Sequence, residues 1–268
     1  MPAFKSIKKK PLLFLLAAAA LLFIAGCSED HASKHFEKGE ELLSKGDYVE
    51  ALSRYNYVVN NFRESPYAPS SQYKVAFILN RHMNDRKAAI DAIYLLYNVY
   101  PGSPEVLKAR QDLAEIYSGM GEHTKALGEY EILIKQLPAD WAKFKRLIAL
   151  EYLKMNDLRQ ARVELNEFIL SVRDKTLVSE AYLNLAETYY IEGEVVKAME
   201  LYDRVISNYP AEKNAMSARF SKAKALEETG RLSDALSLFK EIQTDYPNRD
   251  AVSSRIQAIE KRLKETSG

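Results

Sequence analysis

Between residues 32 and 247 apolar positions recur three and four apart, and no stretch alternates apolar with polar residues long enough for a strand. The pattern predicts helices throughout, interrupted by short polar turns. Three stretches display the unit: GMGEHTKALGEYEILIKQLP (119–138), IEGEVVKAMELYDRVISNYP (191–210) and EETGRLSDALSLFKEIQTDYP (227–247). Each passes from glycine through a polar turn to alanine, then to an aromatic four residues on, an aliphatic three further, and a proline. Aligning on that alanine gives Ala51, Ala89, Ala126, Ala161, Ala198 and Ala235, spaced 38, 37, 35, 37 and 37 residues apart. Upstream of each turn a small residue precedes a bulky one by three: Gly39/Leu42, Ala76/Leu79, Ala114/Tyr117, Ala149/Tyr152, Ala186/Tyr189 and Ala223/Leu226.

These positions predict two antiparallel helices per repeat. Small residues let the helices approach closely, because interaxial distance follows the size of the contacting side chains. Gly46, Gly121, Gly193 and Gly230 suit the turn, where a positive φ costs glycine little. Tyr100-Pro101, Leu137-Pro138, Tyr209-Pro210 and Tyr246-Pro247 are expected to end the second helices, since the residue before proline is biased away from helical angles. Three repeats depart from the pattern. The first has Arg63 where proline is expected, with Pro66 slightly late; the second lacks a turn glycine (NRHMNDRKAA); the fourth has Asn156-Asp157 in its turn and Arg173 in place of proline. After the last proline, Val252, Ile256, Ile259 and Leu263 form a single apolar stripe, as expected of a helix that closes the end of a stack.

The unit resembles the tetratricopeptide repeat, a helix-turn-helix of about 34 residues with small residues at these offsets. That resemblance implies an all-α fold, a right-handed α-solenoid of about six such repeats over residues 32–248, with a capping helix and tail at 249–268.

The N-terminus is of another kind. MPAFKSIKKK carries four lysines and no acid, and Leu12 to Ala25 is an unbroken apolar run of 14. A basic head before a short apolar segment has the build of an export signal, and a spanning helix wants roughly 17–25 apolar residues. The run ends at Ile24-Ala25-Gly26-Cys27, which resembles the lipobox of bacterial lipoprotein precursors, with Ile24 where leucine is commonest. The resemblance implies a signal peptide over 1–26, cleavage between Gly26 and Cys27, and a diacylglycerol thioether on Cys27, followed by a lipidated tether at 27–31. Ser28 after the cysteine, rather than aspartate, implies by the same resemblance the periplasmic face of the outer membrane in a Gram-negative host. A Gram-positive host would place the protein on the outside of the plasma membrane, and an uncleaved anchor with an incidental cysteine is the plainer alternative. Cys27 is the only cysteine, so an intramolecular disulfide is impossible and stability must come from packing.

Charge and chemistry narrow the function. The net charge is +1, and the four leader lysines exceed that surplus, so the remainder is mildly acidic with no dense basic stretch for nucleic acid. His31 and His35 are one helical turn apart, but no third metal ligand accompanies them, and His82 and His123 are isolated. There is no phosphate-cradling glycine loop and no G-x-S-x-G. The chain is expected to be a binding protein without catalytic residues, metal, or cofactor beyond the lipid on Cys27.

In the tetratricopeptide family the first helix of each repeat lines an inner groove. Carried over, the lining is Phe36, Glu40 and Leu43; Tyr73, Phe77, Asn80 and Arg81; Lys108, Gln111 and Glu115; Lys143, Arg146 and Leu150; Leu183, Glu187 and Tyr190; and Phe220, Lys224 and Glu227. Phe36, Tyr73, Phe77 and Arg81 would suit a peptide with aromatic side chains and a terminal carboxylate. Alternatively, Tyr73 and Phe77 pack between the first two repeats.

Residues 58–104, with the SPYAPSSQ loop and AAIDAIYLLYNVYPGSP, resemble the BamD family, lipoproteins of the outer-membrane β-barrel assembly machinery. That resemblance implies barrel-assembly subunits and unfolded outer-membrane proteins as partners, the latter ending in an aromatic residue with a free carboxylate. BamD relatives usually have five repeats and an irregular third. YPAEKNAMSARFSKAKALEETG is equally similar to the CpoB family, which coordinates cell-wall synthesis with division, and pilus-assembly pilotins also join a lipid anchor to such repeats.

Overall fold

The computed structural model describes residues 30–267. The expected signal segment 1–26, its Gly26-Cys27 junction and the expected tether up to residue 29 lie outside them. The other two residues of the expected tether, Asp30 and His31, are already helical, with Lys34 Nζ 2.6 Å from the Asp30 carboxylate one turn on. Among the described residues there are thirteen α-helices, one short 3-10 turn and no strand. None of these helices is long and apolar enough to cross a membrane.

The chain forms two compact units, divided between Met120 and Gly121. The N-unit holds α1 (residues 30–45), α2 (Tyr48–Asn61), α3 (Ala68–Arg81), α4 (Arg86–Val99) and α5 (Glu105–Gly119). The C-unit holds α6 (His123–Gln136), α7 (Trp141–Lys154), α8 (Leu158–Ser171), α9 (Lys175–Ile191), α10 (Val195–Asn208), α11 (Lys213–Glu228), α12 (Leu232–Ile242) and α13 (Arg249–Ser267). The division falls in the turn of the third repeat. Within each unit consecutive helices pack against one another, and α3 with α5 and α9 with α11 pack side by side as well.

The predicted seam is the core. All six aligned alanines are fully buried at 0% exposure. So are the side chains four residues later, Tyr55, Ile93, Tyr130, Leu165, Tyr202 and Phe239, and those three further, Val58, Leu96, Leu133, Phe168, Val205 and Ile242, none above 2%. Burying a side chain of this size stabilises by about 1.5–3 kcal/mol, so this column is the main source of each hairpin's stability. The first-helix small residues serve the same closeness. A Cβ on Gly39 would lie 2.8 Å from Cε1 of the buried Tyr55 ring, so α1 approaches α2 only because that side chain is absent. At the far end, Val252, Ile256 and Ile259 of α13 close over Phe239 and Ile242 of α12, with Leu263 packed alongside, as the apolar stripe predicted.

The turns explain the two repeats without glycine. Gly46, Gly121, Gly193 and Gly230 adopt φ between +77° and +84°, and Asn84 and Asn156 take the same left-handed place at φ 53° and 57°. Asparagine is the side chain that tolerates this region best. In both cases an aspartate follows and caps the next helix: Asp85 accepts from the Ala88 amide at 3.0 Å and Asp157 from the Gln160 amide at 3.1 Å. Tyr100, Leu137 and Tyr209 leave their helices directly before proline, as expected, but proline is not required. Phe62, without a following proline, turns out of α2 at φ −136°, ψ 50°, close to Tyr100 at φ −129°, ψ 53°. In the last repeat α12 stops at Ile242, four residues ahead of Tyr246-Pro247.

Candidate protein-interaction site

Within each unit the first helices of the repeats lie side by side, so residues about one repeat apart in sequence meet across them. In the N-unit α3 is bonded to both neighbours. Towards α1, Lys74 Nζ lies 2.8 Å from the Glu40 carboxylate. Towards α5, Ser70 Oγ donates to Glu105 at 2.6 Å, the Tyr73 hydroxyl donates to Asp112 at 2.8 Å, and the Arg81 guanidinium lies 2.6 Å from Glu115 and 3.8 Å from Asp112. Tyr73, Phe77 and Arg81 are four apart and share one face of α3. The Tyr73 and Phe77 rings are 6.5 Å apart, and Phe77 meets the edge of His82 at 5.6 Å, which itself stacks on Tyr48 at 3.8 Å.

Burial, followed by the Asp112 charge, pushes the Tyr73 hydroxyl above its ordinary pKa, so it stays protonated and donates. Burial also holds Asp112 above the usual carboxylate range; the Tyr73 hydrogen bond and Arg81 pull it down, while Glu115 pushes it further up.

Three of the four predicted groove residues thus come together. The fourth does not. Phe36 turns into the seam, with its ring 5.3 Å from Tyr67 and 5.7 Å from Tyr55, against the buried Ala32, Val58 and Ala68. Phe220 is likewise a packing residue, stacked on Tyr246 at 4.5 Å and edge-on to Phe239 at 5.7 Å. Arg81 is already paired, so a peptide carboxylate would have to exchange with Glu115. Side-chain exposures of 49% and 38% make that exchange cheap, because exposed ion pairs contribute about 0–1 kcal/mol.

The C-unit repeats the arrangement with other chemistry. Arg146 of α7 donates to Glu180 of α9 at 2.9 Å, and Asn214 of α11 donates to Ser179 of α9 at 2.8 Å. Tyr190 donates to Glu228 while Lys224 lies 5.3 Å from the centre of the Tyr190 ring. Glu227 accepts from Arg255 of the terminal helix at 2.7 Å, with Arg262 at 3.5 Å. One element is shared by the two units. Glu40 takes Tyr55 and Lys74, 15 and 34 residues on, and Glu187 takes Tyr202 and Ser221 at the same offsets. That glutamate, present in both the first and fifth repeats, was the readable signal for the ladder.

Comparison with known proteins agrees with this geometry. Residues 146–213 and 217–249 match tetratricopeptide-repeat family models, so these stretches are tetratricopeptide repeats. Among solved structures, a tetratricopeptide repeat protein from Parabacteroides merdae superposes with a TM-score of 0.63 at 18% identity, covering 87% of this chain and 88% of that one. The C-terminal part of a repeat-containing protein from Cytophaga hutchinsonii gives 0.59 at 14% identity, over 84% and 95%. PilF of Pseudomonas aeruginosa gives 0.54 at 13% identity, over 88% and 99%. At these identities the likeness is one of fold. No curated protein sequence matches the chain.

Proposed function

We propose that this protein is a non-catalytic scaffold of the bacterial envelope, held on the outer membrane by a lipid on Cys27, that binds protein partners along its first-helix faces. Tetratricopeptide repeats are a protein-interaction fold, and the pathway we assign is outer-membrane β-barrel assembly, on the resemblance of residues 58–104 to the BamD family. The observation that supports the binding face best is the α3 row: a half-buried Phe77 between Tyr73 and an arginine whose partner is an exposed carboxylate. An extended segment with an aromatic side chain and a terminal carboxylate fits it, the ring against Phe77 and the carboxylate exchanging with Glu115 on Arg81.

Two measurements test this. Phe77→Ala should weaken binding of a peptide ending in an aromatic residue by roughly 1–3 kcal/mol in an anisotropy titration, and amidating the peptide C-terminus should weaken it further. Unchanged affinity in both would remove this face. Affinity purification from envelopes should recover barrel-assembly subunits; wall synthases or pilus components in their place would refute the pathway and leave the scaffold. The mass of Cys27 in the membrane-extracted protein reports the anchor independently.

A further inference from the structure

One end of the N-unit collects aromatic and apolar side chains that the binding face does not use. The start of α1, the end of α2, the 62–67 loop, the start of α3 and the end of α4 meet there, because Ala32, Val58 and Ala68 are buried together with Phe36, Phe62, Tyr67 and Tyr100 packed on them. Around this cluster the outer side chains stay open: Tyr57 is 45%, Leu95 46% and Val99 40% exposed, each within the last two turns of its helix. Tyr57 is held in place by stacking on His35, with ring centroids 4.1 Å apart, and by Phe62 at 5.9 Å. The charges at this end are of both signs, with Arg54 and Glu37 on the flanking turns. Lys34 is paired with Asp30, and Arg63 has Glu64 beside it in sequence.

The sequence states what lies next to this end. Only three peptide steps separate Cys27 from residue 30, and fully extended they span roughly 10 Å. A lipid on Cys27 therefore keeps the start of α1 within that distance of a bilayer surface, with the cluster beside it. Tyrosines with an apolar body and a polar tip suit the headgroup level of a bilayer, and exposed Leu95 and Val99 gain by leaving water.

We propose that this end of the N-unit, with Tyr57, Leu95 and Val99 as its contact residues, docks on the phospholipid bilayer that carries the anchor. The docking fixes the first-helix face of the N-unit relative to the membrane, which the lipid attachment alone would not. It is driven by apolar and tyrosine burial and not by anionic lipid, since the described cations here are interspersed with acids. In the cell it rests on the anchor reading, but its test does not.

The chain from Cys27 onward contains every described helix. It is coupled through its single thiol to a maleimide phospholipid in phosphatidylcholine vesicles, so the anchor is installed whether or not cells acylate Cys27. With Trp141→Phe as background, Val99→Trp reports the docking end. Met120→Trp reports the opposite end, where Arg86 at the start of α4 donates to the Gly119 carbonyl at 3.2 Å. The length of α4 puts the two probes about 20 Å apart along the helix axes. Lipids brominated in the acyl chain should quench most of the emission at position 99 and leave position 120 bright, with no change on raising salt. Adding Leu95→Glu should abolish the quenching while the circular dichroism spectrum is unchanged. Equal quenching at both positions, quenching at neither, or quenching that Leu95→Glu leaves intact would overturn the docking. An unmodified Cys27 in the cellular protein would instead refute the anchor and leave the surface property standing.

Discussion

The seam between paired helices and the face formed by the first helices are built from the same repeats, yet they are organised oppositely. Down the seam every repeat places the same kind of residue at the same point: a fully buried alanine, a large side chain four later, another three further. Across the face the repeats differ, apart from the glutamate that Glu40 and Glu187 share. Lys74 with Glu40, Arg81 with Glu115, Arg146 with Glu180 and Asn214 with Ser179 occupy comparable places with different chemistry. The seam is water-free and close-packed, so its residues are fixed by volume. The face is partly solvated, where a hydrogen-bond pair changes stability little, and its residues are free to suit a partner.

Breaking the seam should therefore cost most. Tyr202→Ala removes a 0%-exposed ring from between α9, α10 and α11, and should destabilise the C-unit by about 3–5 kcal/mol in urea denaturation followed by circular dichroism. A smaller change sharpens the same point. Gly39→Ala drives a methyl into Tyr55 and should cost about 1–3 kcal/mol, although alanine is the better helix former. Gly128→Ala, in α6 with nothing within 4 Å of the new Cβ, should instead stabilise by about 0.5–1 kcal/mol. The turn lies between seam and face in its demands. Asn84→Ala at φ 53° should cost about 1 kcal/mol in thermal unfolding, whereas Asn84→Gly should be nearly neutral.

The smallest effect belongs to the face. Asp112 is held above its unfolded pKa chiefly by burial, so its contribution to stability is fully present below about pH 4 and is lost as pH rises through the folded value. Asp112→Asn should flatten that part of the stability profile between acid and neutral pH, as read from denaturation midpoints. A steeper profile in the variant would show that the Tyr73 hydrogen bond and Arg81 outweigh burial.

Much of the fold could be read directly. The six alanines, the large side chain four residues beyond each and the apolar stripe of α13 were visible as spacing, and each is buried where spacing put it. The turns of the second and fourth repeats were visible as exceptions, and Asn84 and Asn156 resolve them, because a left-handed residue needs permissive geometry and not glycine as such. Helix ends were less legible. Phe62 leaves α2 without proline and α12 stops before its proline, so the termination is set by how the loop packs and not by the imide ring alone.

The candidate face was legible only in part. Tyr73, Phe77 and Arg81 share a face because helical geometry requires it of residues four apart. Phe36 and Phe220 look equivalent in sequence and are drawn into packing, since each has large rings from neighbouring elements within reach, Tyr55 and Tyr67 in one case and Phe239 and Tyr246 in the other. Nor does spacing reveal that Arg81 is occupied, because Glu115 reaches it from 34 residues away.

By itself the sequence determined the helices, their pairing and the buried column, since these follow from periodicity and side-chain volume within about 20 residues of chain. Tertiary structure alone decided which polar groups meet across the first helices, which aromatics remain open, and that tyrosines and apolar residues gather at the end where the chain enters α1. Those outcomes depend on contacts a full repeat apart, whose partners are fixed only once neighbouring hairpins have stacked.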